Sequence, residues 1–190
     1  MAINIVQLPR KGIVLDTHEL PRKPGAMAEF KAVIPAPPDL RNEMIGVPEG
    51  SPLTVGLRLE SVSEGVLVSG VVRATAVGEC SRCLEPIEEV LTLRVNELFL
   101  YPGRALAAVQ AGDDAEDDED VSVLDGDLAD IEPAIRDSIV TALPFRPLCQ
   151  EDCAGLCPQC GVRLADNPGH HHDVVDPRWS QLQAMLEKHV

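Results

Sequence analysis

Leu53-Thr54-Val55-Gly56-Leu57-Arg58-Leu59-Glu60 alternates apolar and polar residues without a break. A period of two puts Leu53, Val55, Leu57 and Leu59 on one face of an extended chain, the pattern of a strand with one side buried. Outward from it, Ser63-Glu64-Gly65 reads as a turn. Val66 to Val77 reads as a second strand, rich in β-branched residues and with Gly70 inside it. Gly78 to Cys83 reads as a loop, and Glu89 to Leu100 as a third strand with Leu91, Leu93 and Val95 on one face. Residues 52–101 are therefore predicted to be antiparallel β-structure, with Cys80-Ser81-Arg82-Cys83 at a hairpin tip.

On the N-terminal side, Pro9, Pro21 and Pro24 punctuate an irregular arm over residues 1–29, which leans slightly basic through Arg10-Lys11 and Arg22-Lys23. One short strand is expected at Phe30 to Ile34, ended by Pro35, Pro37 and Pro38. On the C-terminal side, residues 104–121 hold seven acids in the eight positions from Asp113 to Asp120. Like charges that cannot bury apolar surface predict a disordered loop. Calcium is not implied, because the acids lack EF-hand spacing. Leu128, Ile131, Ile135, Ser138, Ile139 and Ala142 then mark one face of a helix, with Asp130 as cap, Pro133 in the first turn and Pro144 as the stop. A terminal helix is expected from Asp176-Pro177, with Trp179, Leu182, Met185 and Leu186 on its apolar side.

Composition narrows the class. The chain has 190 residues, 45% of them hydrophobic but only 3% aromatic, so its core must be aliphatic. No apolar run approaches the roughly 20 residues of a membrane span, and the N-terminus lacks a signal-peptide pattern. A cytoplasmic protein with reduced thiols is expected. The net charge of −15 argues against non-specific nucleic-acid binding and fits a basic protein partner better.

The six cysteines carry the chemistry. Besides Cys80 and Cys83 they form Cys149-Gln150-Glu151-Asp152-Cys153-Ala154-Gly155-Leu156-Cys157-Pro158-Gln159-Cys160-Gly161, followed by His170, His171 and His172. Paired C-x-x-C turns grip zinc through thiolates, and Gly161 permits the positive φ that such a turn needs after its second ligand. Six cysteines are too many for one tetrahedral site and too few for two. Adding His170 and His172, which project the same way from an extended backbone, makes eight. One set would be Cys80, Cys83, Cys149 and Cys153; the other Cys157, Cys160, His170 and His172. Two alternatives stay open: one zinc on Cys80, Cys83, Cys157 and Cys160, or a local four-cysteine site within 149–160. A redox C-x-x-C would head a helix behind a strand, which neither pair does. Nucleotide-binding, zinc-protease and serine-hydrolase motifs are absent. A structural role for one or two zinc ions is expected, without catalysis.

Cys80-Ser81-Arg82-Cys83-Leu84-Glu85-Pro86 after a strand resembles the C-x-R-C-L-x-P segment of the YceD family, named for large ribosomal RNA subunit accumulation. Leu143-Pro144, the second cysteine block and Asp176-Pro177-Arg178 extend the resemblance, in order, over roughly residues 1 to 188. In many members the second knuckle is followed by Asn and a C-x-C pair; here Asn167 precedes His170-x-His172. Members that keep only counterparts of the first pair support Cys80, Cys83, Cys149 and Cys153 as a unit. The resemblance implies a non-enzymatic factor supporting 23S rRNA accumulation and ribosome biogenesis. Its partner would be a large-subunit precursor or a basic ribosomal protein, with indirect rRNA contact possible and direct RNA binding left open, and with no membrane and no small-molecule substrate. Arg82, Arg146, Arg163 and Arg178 would offer a basic patch near the metal. Rival readings are a zinc-stabilised interaction domain without a ribosomal role and a thiol- or metal-dependent enzyme.

The expected architecture is α+β. Residues 1–148 form an antiparallel β-meander or barrel-like sheet with a packed helix. Residues 149–190 form a zinc-knuckle module with a short terminal helix, joined to the 80–83 knuckle.

Overall fold

The alternation at 53–60 does build a strand, β4 (Pro52–Ser61), in which Leu53, Val55, Leu57 and Leu59 are all buried. The computed structural model describes residues 12–104, 121–172, 177–179 and 185. Within them β1 (Val14–Asp16), β2 (Met27–Pro35) and β3 (Ile45–Gly46) precede β4, and β5 (Gly65–Glu79), β6 (Pro86–Leu100) and β7 (Leu128–Asp130) follow it. The helix α1 (Glu132–Ala142) comes after β7 and lies against β6.

All the ladders are antiparallel. β4, β5 and β6 form the expected meander, and β2 adds to the free side of β4. β6 pairs with β5 along its whole length, so β4 and the two-residue β3 share the other edge of β5 at different heights. No ladder joins β2 to β6 among the described residues. The sheet is open, and the barrel-like closure considered from sequence is not seen.

Gly70 is required by the way β4 and β5 meet. A Cβ placed on it would lie 2.1 Å from the Gly56 carbonyl oxygen and 2.8 Å from Leu57 Cα, distances no side chain tolerates.

The inner face of the sheet carries Phe30, the four apolar residues of β4, then Val66, Val68, Val72, Ala74 and Ala76, and finally Leu91, Val95 and Phe99. Ile131, Ile135 and Ile139 of the helix segment seal that face, each with no exposed surface. Three isoleucines four residues apart lie on one side of a helix. The core is aliphatic, as a composition so poor in aromatics demands.

Three expectations need correcting. The arm is not irregular beyond residue 12: β1 pairs with β7, and Leu15 and Leu20 are buried. Leu128 is not helical. The β1 edge draws 128–130 into a ladder, with Val14 opposite Asp130, and Thr17 fixes the register through two bonds to the Asp127 carbonyl. The helix therefore begins at Glu132, whose N–H donates to Asp130 Oδ1 at 3.1 Å. Asp130 does satisfy an N-terminal donor, but from one position before Ile131, the cap residue. Leu143 turns extended (ψ 128°) ahead of Pro144, as a residue before proline prefers. The strand expected at 30–34 is longer, because its pairing with β4 runs from Met27 to Pro35. Most of the expected acidic loop, and all of the terminal helix except Pro177–Trp179 and Met185, lie outside the described residues. Pro177–Trp179 forms a 3-10 turn on which Trp179 is exposed.

Ile139→Ala should remove about 2–5 kcal/mol of stability, because it leaves a cavity where the helix meets the sheet. Chemical denaturation should show a lower midpoint with an unchanged slope.

Candidate metal centres

The long β5–β6 hairpin ends at the pair Glu79–Pro86 and projects residues 80–85 beyond the sheet. In this turn the Leu84 N–H donates to the Cys80 carbonyl at 2.9 Å, and the Cys80 N–H to the Glu85 carbonyl at 2.8 Å. The second knuckle repeats both bonds. Gly161 N–H donates to the Cys157 carbonyl at 2.8 Å, and Cys157 N–H to the Val162 carbonyl at 2.8 Å. The residue after the second cysteine has positive φ in each, 72° at Gly161 and 61° at Leu84. Glycine takes this conformation freely; leucine pays about 1–2 kcal/mol for it. The first knuckle holds a strained residue that the C-x-x-C pattern alone does not announce.

The segment after α1 delivers the next two cysteines to the hairpin tip. Asn42 Nδ2 donates to the Pro144 carbonyl at 3.2 Å, and Ser81 N–H to the Pro147 carbonyl at 2.8 Å. Arg82 Nη1 then donates to the Cys153 carbonyl at 2.9 Å. Cys80 Sγ comes within 3.8 Å of Cys153 Sγ, and Cys83 Sγ within 3.6 Å of Cys149 Sγ. Every sulfur of the four lies within 4.8 Å of the others. None is in a disulfide, whose sulfurs would sit about 2.05 Å apart. Cys80, Cys83 and Cys153 are buried beside Ile87 and Leu148, and Cys149 is exposed.

The second group gathers Cys157, Cys160, His170 and His172. Cys160 Sγ lies 3.2 Å from Nε2 of both histidines, and the two Nε2 atoms are 2.9 Å apart. Their rings stand nearly perpendicular, at 86°. His171 takes no part; its Nδ1 lies 3.1 Å from the Gly169 carbonyl. Only Cys157 is buried here.

The chain thus brings together all eight residues singled out from sequence, in the two sets of four. Cys80 and Cys83 do not meet Cys157 and Cys160, and Cys149 and Cys153 do not share a cluster with them. The two groups are braced to each other. Leu156 N–H donates to the Arg82 carbonyl at 3.0 Å, and Arg163 pairs with Glu85 at 2.8 Å. Arg82 and Arg163 are therefore tied to protein oxygens, which weakens the basic patch expected beside the clusters.

Both donor sets fit a tetrahedral ion. Four thiolates at about 2.3 Å from a zinc have S–S edges of about 3.8 Å, and mixed sets have S–N and N–N edges of about 3.5 and 3.3 Å. The first set matches these edges; the second is a few tenths of an ångström tighter. Either cluster could hold a metal ion.

Electrostatics point the same way. Burial works to raise the Cys80 pKa, but backbone N–H groups of Cys149, Arg82 and Cys83 outweigh it and bring the thiol down to about 6. The N–H groups of Gln159 and Cys160 likewise bring Cys157 to about 6. Cys149 is pushed up to about 12, chiefly by hydrogen bonds to the sulfurs of Cys153 and Cys83, with burial adding to it. For Cys83 a bond from the Glu85 backbone works downward, but burial and the sulfurs of Cys80 and Cys153 prevail, and its pKa rises. Four thiols this close cannot all ionise without a cation among them.

The family model described as "Large ribosomal RNA subunit accumulation protein YceD" matches residues 68–186, a stretch that contains both clusters. The chain belongs to the YceD family. It is 43% identical over 174 residues to an uncharacterized protein of Mycobacterium tuberculosis, covering 92% of this chain and 81% of that one. An uncharacterized protein of Mycobacterium leprae is 40% identical over 92% of this chain and 77% of its own. The uncharacterized protein YlbN of Bacillus subtilis is 27% identical over 73% and 76%. No solved structure matches. The YceD family name ties the chain to accumulation of the large ribosomal RNA subunit. Among the described residues, no helix is long and apolar enough to cross a membrane.

Uptake of a divalent ion should be proton-linked. Cys83 and Cys149, with raised pKa values, are protonated at pH 7 and must lose those protons to ligate. Zn²⁺ affinity should therefore rise about tenfold or more per pH unit between pH 6.5 and 8.5. A pH-independent affinity in competition with a chromophoric chelator would refute this. Cys80→Ser should remove one bound ion per chain and destabilise the 80–85 and 144–153 segments together, seen as faster amide exchange there, while β4 stays protected.

Proposed function

We propose that this YceD protein is a non-enzymatic factor supporting 23S rRNA accumulation, built on two structural zinc ions and acting on a large-subunit precursor or a basic ribosomal protein. The observation that carries the reading is the family match over residues 68–186, which spans the hairpin, the helix and both clusters. Cys80, Cys83, Cys149 and Cys153 would hold one zinc; Cys157, Cys160, His170 and His172 the other. Four protein ligands per ion leave no open position for water or substrate, the arrangement of structural rather than catalytic zinc. Bound there, each ion would supply cross-linking and charge neutralisation. The chain's own part is to present donors from segments 66 residues apart in sequence, as for Cys83 and Cys149. An acidic body suits a basic ribosomal protein, whose exposed cations it would screen before assembly. Action in the cytoplasm, where thiols stay reduced, agrees with free cysteines.

Deleting the gene should lower 23S relative to 16S rRNA, and the tagged protein should comigrate with large-subunit precursors on sucrose gradients. Unchanged rRNA together with absence from every precursor fraction would refute the reading.

A further inference from the structure

The middle of the sheet's outer face has a charge opposite to that of the chain, although Glu60, Glu79 and Glu88 lie on the same face towards its ends. The ladder registers align three rows across β2, β4, β5 and β6: Val33–Thr54–Arg73–Thr92, Lys31–Gly56–Val71–Arg94 and Glu29–Arg58–Ser69–Asn96. These rows hold four cations and one carboxylate, on a chain of net charge −15. Lys31 and Arg58 are paired with Glu29 and Glu60. Arg73 and Arg94 are exposed and have no carboxylate partner among the described residues. They occupy diagonal positions on neighbouring strands, about 7–8 Å apart.

A glycine supplies a second, independent observation. Gly56 sits at the centre of these rows, where a strand favours a β-branched residue. Unlike Gly70 it is under no steric compulsion: a Cβ there would meet nothing closer than the Val71 carbonyl at 4.0 Å. Its bareness opens a groove of about 520 Å³, lined by Lys31, Val33, Thr54, Val71 and Arg73. A strand glycine often marks a bulge, a bend or close approach by another molecule, and the ladders run through Gly56 without a bulge.

We propose that this face binds the sugar–phosphate backbone of double-stranded RNA, with Arg73, Arg94 and Lys31 on phosphates. Lys31 and Arg94 stand three strand spacings apart, about 14 Å, so one backbone crossing Gly56 reaches both. Thr54, Ser69, Thr92 and Asn96 intersperse the cations with hydroxyl and amide groups. These suit the 2′-hydroxyls of the wide, shallow A-form minor groove. The rows carry no aromatic side chain, so the stacking platform of a single-strand binder is missing. Of the acids on this face, Glu29 and Glu60 are held in ion pairs by Lys31 and Arg58, and Glu88 lies two rows beyond Arg73, further than the roughly 8 Å over which its field fades at cellular salt. This inference rests on the ribosomal reading above for its choice of RNA over another polyanion.

Fluorescence anisotropy of the purified full chain with a 16-base-pair RNA duplex tests it. Three phosphate contacts predict about 40-fold weaker binding between 50 and 200 mM salt. Arg73→Gln and Arg94→Gln should each weaken binding about tenfold at 0.1 M salt and lower the salt slope by about one. Both variants should melt like the parent, and Arg41→Gln, off this face, should bind like it. Parental affinity in the Arg73→Gln/Arg94→Gln double variant would overturn the proposal. So would polyglutamate competing as well as the duplex, which would assign the face to an acidic peptide. If RNA binding fails while the chain still comigrates with large-subunit precursors, this inference alone falls. If RNA binds but the chain is absent from every precursor fraction and its loss leaves rRNA unchanged, the ribosomal reading falls instead.

Discussion

The approach of Cys80 and Cys83 to Cys149 and Cys153 is the constraint on which the C-terminal half of the structure depends. The strands on one side and the helix on the other are held by ordinary apolar burial. Beyond Leu143 that support ends: residues 144–172 contribute few buried aliphatic side chains, and what is buried there is mainly sulfur. Without the thiol cluster the segment would have only scattered hydrogen bonds, too few to offset the entropy of ordering it. Its position explains the length of the hairpin. Fifteen-residue strands carry the 80–85 turn past the end of the core, far enough for the chain leaving α1 to pass beneath it.

The two clusters are built alike but placed differently. Each C-x-x-C turn aims backbone N–H groups at its first sulfur, which lowers the pKa of Cys80 and Cys157 alike. The first cluster is mostly buried, while the second keeps only Cys157 from solvent. On the zinc reading, the first ion belongs to the core and the second stiffens an outlying ribbon. Arg163–Glu85 and Leu156–Arg82 couple the two, so order spreads from the buried cluster outward.

Much of this was legible in the sequence because its signals were local. The alternation at 53–60 fixed the buried face of β4, and counting ligands favoured the two sets of four that the fold assembles. The failures were failures of locality. Leu128 fits a helical stripe as well as Ile135 does, and only the presence of the distant Val14–Asp16 edge makes it a strand residue. Closure of the sheet likewise depends on how far β2 and β6 diverge, which no single strand encodes. Leu84 shows a third kind of blindness. Its positive φ follows from the knuckle's hydrogen bonds, whereas residue preference alone would have put glycine there.

Net charge misleads for the same reason. A value of −15 is a sum over the chain, yet a partner meets a surface, and the field at that surface is set by charges within about a Debye length. Seven of the acids are concentrated in 113–120. The rows through Gly56 have the opposite sign, because the pleat sends Lys31, Arg58, Arg73 and Arg94 to one side of four different strands. No window of sequence brings those four together; the register does. An acidic protein can therefore present a locally cationic patch, and total charge is a poor guide to what such a patch will bind.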